Sequence, residues 1–164
     1  MEYDTFKRMY LAELQEMRSA EDQLADALPR LAEKASASDL RQAVNRHALQ
    51  TERQRERLDA LIQGHRAEPA AHRDSAMGTL LKEAGRWADK IDVPALRDAG
   101  LISSLQRIEH YEIAVYGSLA TWAKQLGLDG DMTALLDILE EEKRTDHDLS
   151  VLAKKAVNPQ AARS

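Results

Sequence analysis

Cysteine is absent from the 164-residue sequence, and glycine, proline and aromatic residues are scarce. Without thiols the chain can form no disulfide, thiolate zinc site, iron–sulfur cluster or cysteine nucleophile. Seven glycines, four prolines and seven aromatic residues supply little material for a many-stranded sheet, so an all-β fold is not expected. Alanine and leucine instead occupy 26 and 22 positions, far above ordinary usage.

Charge and hydropathy indicate which partners and which cellular compartment to expect. The chain carries 28 acidic and 23 basic residues, whereas a general nucleic-acid binder would show a basic surplus. Its longest uncharged run, Ile113 to Ala123, falls well short of the ~20 residues that span a bilayer. Residues 1–4 lack the features of a signal peptide. We therefore expect a cytoplasmic protein with no membrane or nucleic-acid partner.

Hydrophobic periodicity predicts helices along almost the whole chain. The first long helix begins at Phe6 with Asp4 as its N-cap, and Pro29 should kink it or unsettle its last turns. The second begins near Leu40, capped by a Ser or Asp of segment 35–39, and ends at Gly64. Residues 64–75 are predicted to form a loop, because they contain glycine and proline and show no periodicity.

The second half of the chain repeats this pattern. A shorter helix is predicted from about Ala76 to Lys90, and Asp92-Val93-Pro94 opens the third long helix. A tight turn at 127–131 leads to the last helix, which ends near residues 157–159. Two short connections and one long crossover define an all-α, ferritin-like four-helix bundle with a short extra helix in the crossover. Residues 1–158 are predicted to form a single domain, and residues 159–164 a flexible tail.

Polar residues interrupt the apolar stripe near the middle of each long helix. In chain order they are Glu21 on the first helix, His47, Gln50, Thr51 and Gln54 on the second, Glu109 and Glu112 on the third, and Glu142 and Asp146 on the last. Buried carboxylates are costly unless they are paired or bind a metal. Folding the helix pairs about Ser36 and Asp129 places Glu21 opposite position 51 and Glu112 opposite position 146, which predicts one shared site.

Oxygen ligands converging from the helices of a bundle, with a nitrogen ligand nearby, suit a pair of Fe or Mn ions. No histidine has a glutamate three residues before it, so the Glu-x-x-His pattern of ferritin-like di-iron proteins is missing. The predicted metal site is therefore rich in carboxylate and poor in histidine. Its candidate ligands are Glu21, His47, Gln50, Gln54, Glu109, Glu112, Glu142 and Asp146.

Several segments carry a family resemblance over nearly the whole chain. They are Ser19-Ala20-Glu21, His47 with Thr51 and Gln54, the Glu-His-Tyr-Glu block at 109–112, and Glu140-Glu141-Glu142-Lys143 with Thr145-Asp146. In these the chain resembles the YciE/YciF family of ferritin-like bacterial stress proteins, long catalogued as a domain of unknown function. The resemblance implies a compact, commonly dimeric bundle with a proposed dinuclear metal centre. Gln50 departs from the family, which typically has glutamate there, and so removes one potential bridging ligand.

Two functions are compatible with these residues. In the first, two Fe or Mn ions in the core handle oxidants or O₂, with Tyr111 or Tyr116 as a nearby redox-active or hydrogen-bonding group. In the second, the chain is a non-catalytic homodimer or partner-binding module, and its core polar residues form a metal-free hydrogen-bond network. Iron storage in a cage is less favoured, and no nucleophile motif of a hydrolase is present. Neither a substrate nor a catalytic residue is predicted.

Overall fold

The computed structural model describes residues 5–164, and this part of the chain contains helices and no strand. The helices are α1 (Phe6–Lys34), α2 (Ser38–Gly64), α3 (Ser75–Lys90), α4 (Pro94–Gln125), α5 (Asp129–Leu152) and α6 (Asn158–Ala161), with a π-helical segment, Ala153–Val157, between the last two. The all-α prediction is confirmed, and α3 is the expected extra helix of the crossover.

The four long helices, α1, α2, α4 and α5, form two antiparallel pairs. In the first pair, Arg18 of α1 binds Asp59 of α2, and one turn further along α1 Asp22 binds Arg55. As the residue number on α1 rises by four, the number of the contacted residue on α2 falls by four, so the two helices are antiparallel. In the second pair, Gln106 of α4 donates to Asp146 and Ser150 of α5. A long crossover through α3 joins the pairs, which is the ferritin-like connectivity.

The first helix begins at Phe6, as predicted, but has a different N-cap, and it continues past its proline. Thr5 is the N-cap, and its side chain accepts a hydrogen bond from the backbone N–H of Arg8; the predicted cap Asp4 lies outside the described residues. The helix runs through Pro29 to Lys34 without a break. Pro29 is exposed, so water can reach the backbone carbonyl that its missing N–H leaves without a partner.

The start of α2 also differs from the prediction, because no local side chain caps it. The helix begins at Ser38 with Ala37 as its N-cap. The backbone N–H groups of Ser36 and Ala37 instead donate to the two carboxylate oxygens of Asp98, each at 2.8 Å. Asp98 is buried on α4, so this contact fixes the α1–α2 turn against the other helix pair.

The α4–α5 turn is centred on Gly127, two residues before the predicted centre at Asp129. Gly127 has a φ of +69°, and the N–H groups of Gly127 and Leu128 donate to the carbonyls of Lys124 and Ala123. This is the Schellman arrangement, which favours glycine at the left-handed position. Because facing residues lie equally far from the centre of the turn, moving that centre by two residues shifts the residue of α5 that faces a given residue of α4 by four, which is about one helical turn.

The C-terminal helix extends beyond its predicted end. Helical backbone continues through the π-helical segment Ala153–Val157 to Ala161, and Pro159 lies in the first turn of α6, where its missing N–H is tolerated. The single domain over 1–158 and the flexibility of the tail at 159–164 stay predictions. Among the described residues, no helix is both long and apolar enough to cross a membrane.

Candidate metal centre

His47 and Glu109 meet in the middle of the bundle, one from each helix pair. Nε2 of His47 lies 2.9 Å from Oε1 of Glu109, and both side chains are buried. The two groups form a close ion pair, and none of their ring nitrogens or carboxylate oxygens has a further hydrogen-bond partner. Ligand atoms this close together can be neighbours in the coordination sphere of one ion.

Two more glutamates complete a four-residue cluster around this contact. His47, Glu109, Glu112 and Glu142 each offer one ligand atom, and these atoms all lie within 4.8 Å of one another. All four side chains are buried. We call this set the core cluster; α2 supplies the histidine, α4 supplies two carboxylates and α5 supplies one. A buried His/Glu cluster of this kind could hold a metal ion.

Glu21 of α1 lies beside the core cluster and is held by a tyrosine. Its Oε1 accepts a hydrogen bond from the hydroxyl of Tyr116, and its Oε2 has no hydrogen-bond partner. Both side chains are fully buried. Tyr116 thus fixes one carboxylate oxygen and leaves the other free to bind.

A chain of contacts connects Glu142 to the protein surface. Nε2 of Gln54 donates to Oε1 of Glu142, and it also donates to Oε2 of Glu141 at 3.0 Å. Arg57 pairs with that same oxygen of Glu141. Gln54 therefore positions Glu142 through its amide nitrogen, while its buried Oε1 has no hydrogen-bond partner, so its predicted role as a ligand stays a prediction.

Burial and crowding of like charges shift the proton affinities of the site. Desolvation raises the pKa of Glu21 to about 7 and raises the pKa of Glu112 and Glu142 well above the ordinary glutamate value, with the neighbouring carboxylates adding to the effect. Burial alone would lower the pKa of His47, but the charges of Glu109 and Glu21 outweigh it and raise it. Without a cation, this site therefore holds protons at neutral pH.

The unpaired polar atoms test whether the site fits a metal. Within the described chain, buried side-chain atoms without a hydrogen-bond partner are concentrated here, on Glu21, His47, Thr51, Gln54, Glu109, Glu112 and Glu142. Buried polar groups in folded proteins are normally satisfied, and each exception requires an explanation. Oxygen atoms with one nitrogen are the ligands that Fe²⁺ and Mn²⁺ accept. The donor set therefore fits a divalent metal ion.

Two sequence-predicted ligands lie away from the core cluster. Gln50 is half-buried, and its Oε1 faces the hydroxyl of Thr145 at 3.4 Å. Asp146 accepts a hydrogen bond from Gln106 and lies 3.2 Å from His110, so it is engaged at the α4–α5 seam. The prediction that Glu112 faces position 146 is wrong by one turn, because Glu142 is the residue of α5 that meets Glu112.

One residue of the site is not among the predicted ligands. Glu141 is half-buried and accepts a hydrogen bond from Gln54. The signal that could have found it is Arg57 on α2, a cation at the level of the acidic run. Thr51 was recognised as part of the polar set of the second helix, and it is fully buried with its hydroxyl unpaired.

The fold and the site together define the class of protein: a ferritin-like four-helix bundle with a buried histidine–carboxylate cluster at its centre. The family comparison agrees with this class. The chain belongs to DUF892, a family described as a domain of unknown function, whose model matches residues 5–162. The family resemblance drawn from the sequence is confirmed.

Similar proteins cover almost the full chain. YciF of Escherichia coli (strain K12) is 38% identical over 162 residues, which is 98% of both chains. The crystal structure of the E. coli stress protein YciF matches with a TM-score of 0.90, over 94% of this chain and 98% of that one. YcfI of Rhodopseudomonas palustris is 35% identical with a TM-score of 0.87, over 92% of this chain and 97% of that one.

Proposed function

We propose that the protein binds a divalent transition metal, Fe or Mn, in the core cluster and acts in bacterial stress through that metal. The observation that supports this most strongly is the set of unpaired ligand atoms of His47, Glu109, Glu112 and Glu142 within 4.8 Å of one another. The stress connection rests on the name of the E. coli relative YciF.

The competing function, a metal-free hydrogen-bond network, is less favoured by the contacts. Such a network should satisfy its buried members, because a half-satisfied polar core is worse than an apolar one. In this core the oxygens of Glu109 and of Glu112 and the nitrogens of His47 have no hydrogen-bond partner beyond the close ion pair of His47 with Glu109. Proton sharing between the raised-pKa carboxyls would relieve some of these oxygens, but it would leave Nδ1 of His47 without a partner.

The residues around the site have distinct roles in this proposal. His47, Glu109, Glu112 and Glu142 would bind the ion, and Glu21 is the carboxylate available for a second one. Tyr116 and Gln54 orient Glu21 and Glu142. A bound Fe or Mn ion would supply the one-electron chemistry with oxidants that these side chains lack. Burial of the site excludes bulk water from it.

Metal titration of the purified protein tests the proposal. After chelator treatment, anaerobic titration with Mn(II) or Fe(II) and elemental analysis should show one tightly bound ion per chain. A second ion should bind more weakly, because Gln50 and Asp146 make their contacts with Thr145 and Gln106, outside the core cluster. Stoichiometric binding of two equally tight ions would restore the sequence-based prediction of a full dinuclear centre. Absence of any binding would overturn the proposed function.

A matched pair of variants on α5 locates the bound ion. Glu142→Gln keeps the shape of the side chain but weakens a ligand, whereas Glu140→Gln makes the same change at an exposed position of the same acidic run. The first variant should lose most of the affinity and the second should titrate like the wild type. Equal losses in both would indicate binding to the acidic surface instead of the core.

A further inference from the structure

A cavity between α2 and α5 reaches the core cluster from the side. Its volume is about 100 Å³, and we call it the inner cavity. His47 is one of its lining residues, together with Val44, Gln50, Leu105, Thr145 and Leu149. His47 is also a member of the core cluster, so the inner cavity ends at a ligand of the site.

A wider groove lies outside the inner cavity, on the surface of the same two helices. This outer groove has a volume of about 790 Å³. It shares Arg46, Gln50, Thr145 and Asp148 with the inner cavity, so the two spaces adjoin. These four residues line the boundary between the two spaces, and Gln50 of α2 contacts Thr145 of α5 across it.

The contact between Gln50 and Thr145 is weak enough to open. The hydroxyl of Thr145 lies 3.4 Å from Oε1 of Gln50, and it also donates to the carbonyl of Glu141 on its own helix at 3.2 Å. Since the hydroxyl has this alternative acceptor, separating the two side chains breaks no essential bond. Neighbouring contacts are stronger: one turn away, Gln54 bridges α2 to both Glu141 and Glu142.

The size of the inner cavity limits what can pass. The inner cavity is much smaller than the outer groove and has room for only a few water-sized molecules. Its walls include the apolar side chains of Val44, Leu105 and Leu149. A space of this size favours a metal ion or a solute of two or three heavy atoms over a metabolite of ordinary size.

From this geometry we propose that the Gln50–Thr145 gap is the entry port of the core cluster, and that the solutes it admits are of the size of dioxygen or hydrogen peroxide, besides the metal ion itself. This inference rests on the proposed function, since it concerns access to the same site. It assigns Thr145 a role in access and none in metal binding, and it makes α2 and α5 the helices that control exchange.

Metal exchange kinetics test the port. Thr145→Trp should slow both Co(II) loading and Co(II) release to excess chelator by about tenfold, while the dissociation constant changes by less than about twofold, because a barrier in a path affects both directions equally. Thr145→Ala should speed both rates, which keeps the test decisive if the Trp variant folds poorly. Equal rates in wild type and both variants would overturn the proposal.

A matched control separates the port from general effects of a bulky residue. Thr133 is also on α5, is exposed, and donates to the carbonyl four residues before it, as Thr145 does. It lines neither the inner cavity nor the outer groove. Thr133→Trp should therefore load and release Co(II) at the wild-type rates, and slowing as large as that of Thr145→Trp would count against the port.

A measurement without metal distinguishes failure of the port from failure of the proposed function. The C2 proton of the His47 imidazole exchanges with deuterated water only where water reaches the ring, and mass spectrometry reads it on the peptide that carries His47. Exchange should slow in Thr145→Trp and stay unchanged in Thr133→Trp. If Co(II) does not bind to the wild type at all, the proposed function fails, and this exchange alone decides whether the gap is the path to His47.

Discussion

Buried carboxylates occur near the ends of the helices and at the centre of the bundle, and their hydrogen bonding differs between the two. Toward the α1–α2 turn, Asp98 accepts two backbone hydrogen bonds from Ser36 and Ala37. Where the crossover meets α3, Asp74 accepts from the backbone N–H of Met77 and from the hydroxyl of Tyr111. In the middle of the bundle, by contrast, the glutamates of the core cluster keep oxygens without hydrogen-bond partners.

The difference indicates which acidic residues serve the fold and which serve a ligand. A carboxylate whose oxygens accept hydrogen bonds from backbone N–H groups stabilises a turn or a helix end and has little capacity left to bind a ligand. A buried carboxylate with unused oxygens destabilises the fold unless a cation arrives. Mutations at the two kinds of site should therefore have opposite signatures in stability and in metal affinity.

The largest expected effect is on stability, at Asp98. Asp98→Ala leaves two backbone N–H groups without their charged acceptor, and hydrogen bonds to charged groups contribute ~1.5–3 kcal/mol each, so the free energy of unfolding should fall by about 3 kcal/mol. Chemical denaturation measures it. Metal affinity should not change. Asp92→Ala, at an exposed position before α4, is the control and should have almost no effect.

Glu112→Gln should show the opposite signature. Because burial raises the pKa of Glu112 well above its usual value, the fold favours the neutral form of this side chain, and a neutral amide of the same shape should cost little stability. Loss of a metal ligand should reduce affinity by more than about 100-fold, since even outer partners of a metal site contribute ~10–100-fold. Isothermal titration and thermal unfolding in chelator measure the two effects. A severe loss of stability with unchanged metal affinity would show that Glu112 serves the fold, as Asp98 does, and would contradict the comparison.

The stability of the metal-free protein should depend on pH in an unusual direction. The pKa of Glu21 is raised from 4.5 unfolded to about 7 folded, and Glu112 and Glu142 are raised as well. The folded state then holds protons that the unfolded state has lost, so stability falls as pH rises from 4.5 through about 7. The raised pKa of His47 acts in the same direction, because its charged form is stabilised only in the folded state.

Thermal unfolding in chelator between about pH 5 and pH 8 checks this, and saturating Mn(II) should flatten the dependence because metal replaces the protons. The Glu112→Gln variant should show a smaller decrease than the wild type. A metal-free protein that became steadily more stable over this range would contradict the description of the core as unpaired.

The smallest effect is expected at Tyr116. Tyr116→Phe removes the hydroxyl that orients Glu21, which should lower the free energy of unfolding by about 1 kcal/mol, because one hydrogen bond is lost. The pKa of Glu21 should rise further, since that hydrogen bond favours its charged form. Metal affinity should fall by about tenfold, at the low end of the ~10–100-fold that outer partners of a metal site contribute. A larger loss than in Glu112→Gln would place Tyr116 among the ligands.

Periodicity was sufficient to identify the inward faces of the helices. Glu21, Glu109, Glu112 and Glu142 were selected because they interrupt apolar stripes, and all four are fully buried. A helix repeats every 3.6 residues, so a position three or four residues from a stripe member deviates by about 40–60° from its direction. Gln50 and Asp146, next on the same stripes after His47 and Glu142, deviate in this way and reach the edge of the core.

Which residues of neighbouring helices lie at the same height along the bundle was harder to predict than which side of each helix is buried. The level at which Glu112 meets α5 depends on where the turn is centred, and the left-handed conformation of Gly127 sets that centre. The hydrogen bonds of Asp98 to the α1–α2 turn join residues that are 61 and 62 positions apart, so no local pattern contains them. Asp98 has hydrogen-bond donors for its oxygens and Glu112 has none. This difference depends on how the helices pack together, so it cannot be read from the sequence of one helix.

Anomalous diffraction at the metal edge tests the central claim most directly. Crystals of the protein loaded with Mn(II) or Fe(II) should show an anomalous peak bonded to His47 and to carboxylate oxygens of Glu109, Glu112 and Glu142, with Asp74 and Asp98 free of metal. A core without such a peak, in crystals whose elemental analysis shows metal bound elsewhere, would contradict the account.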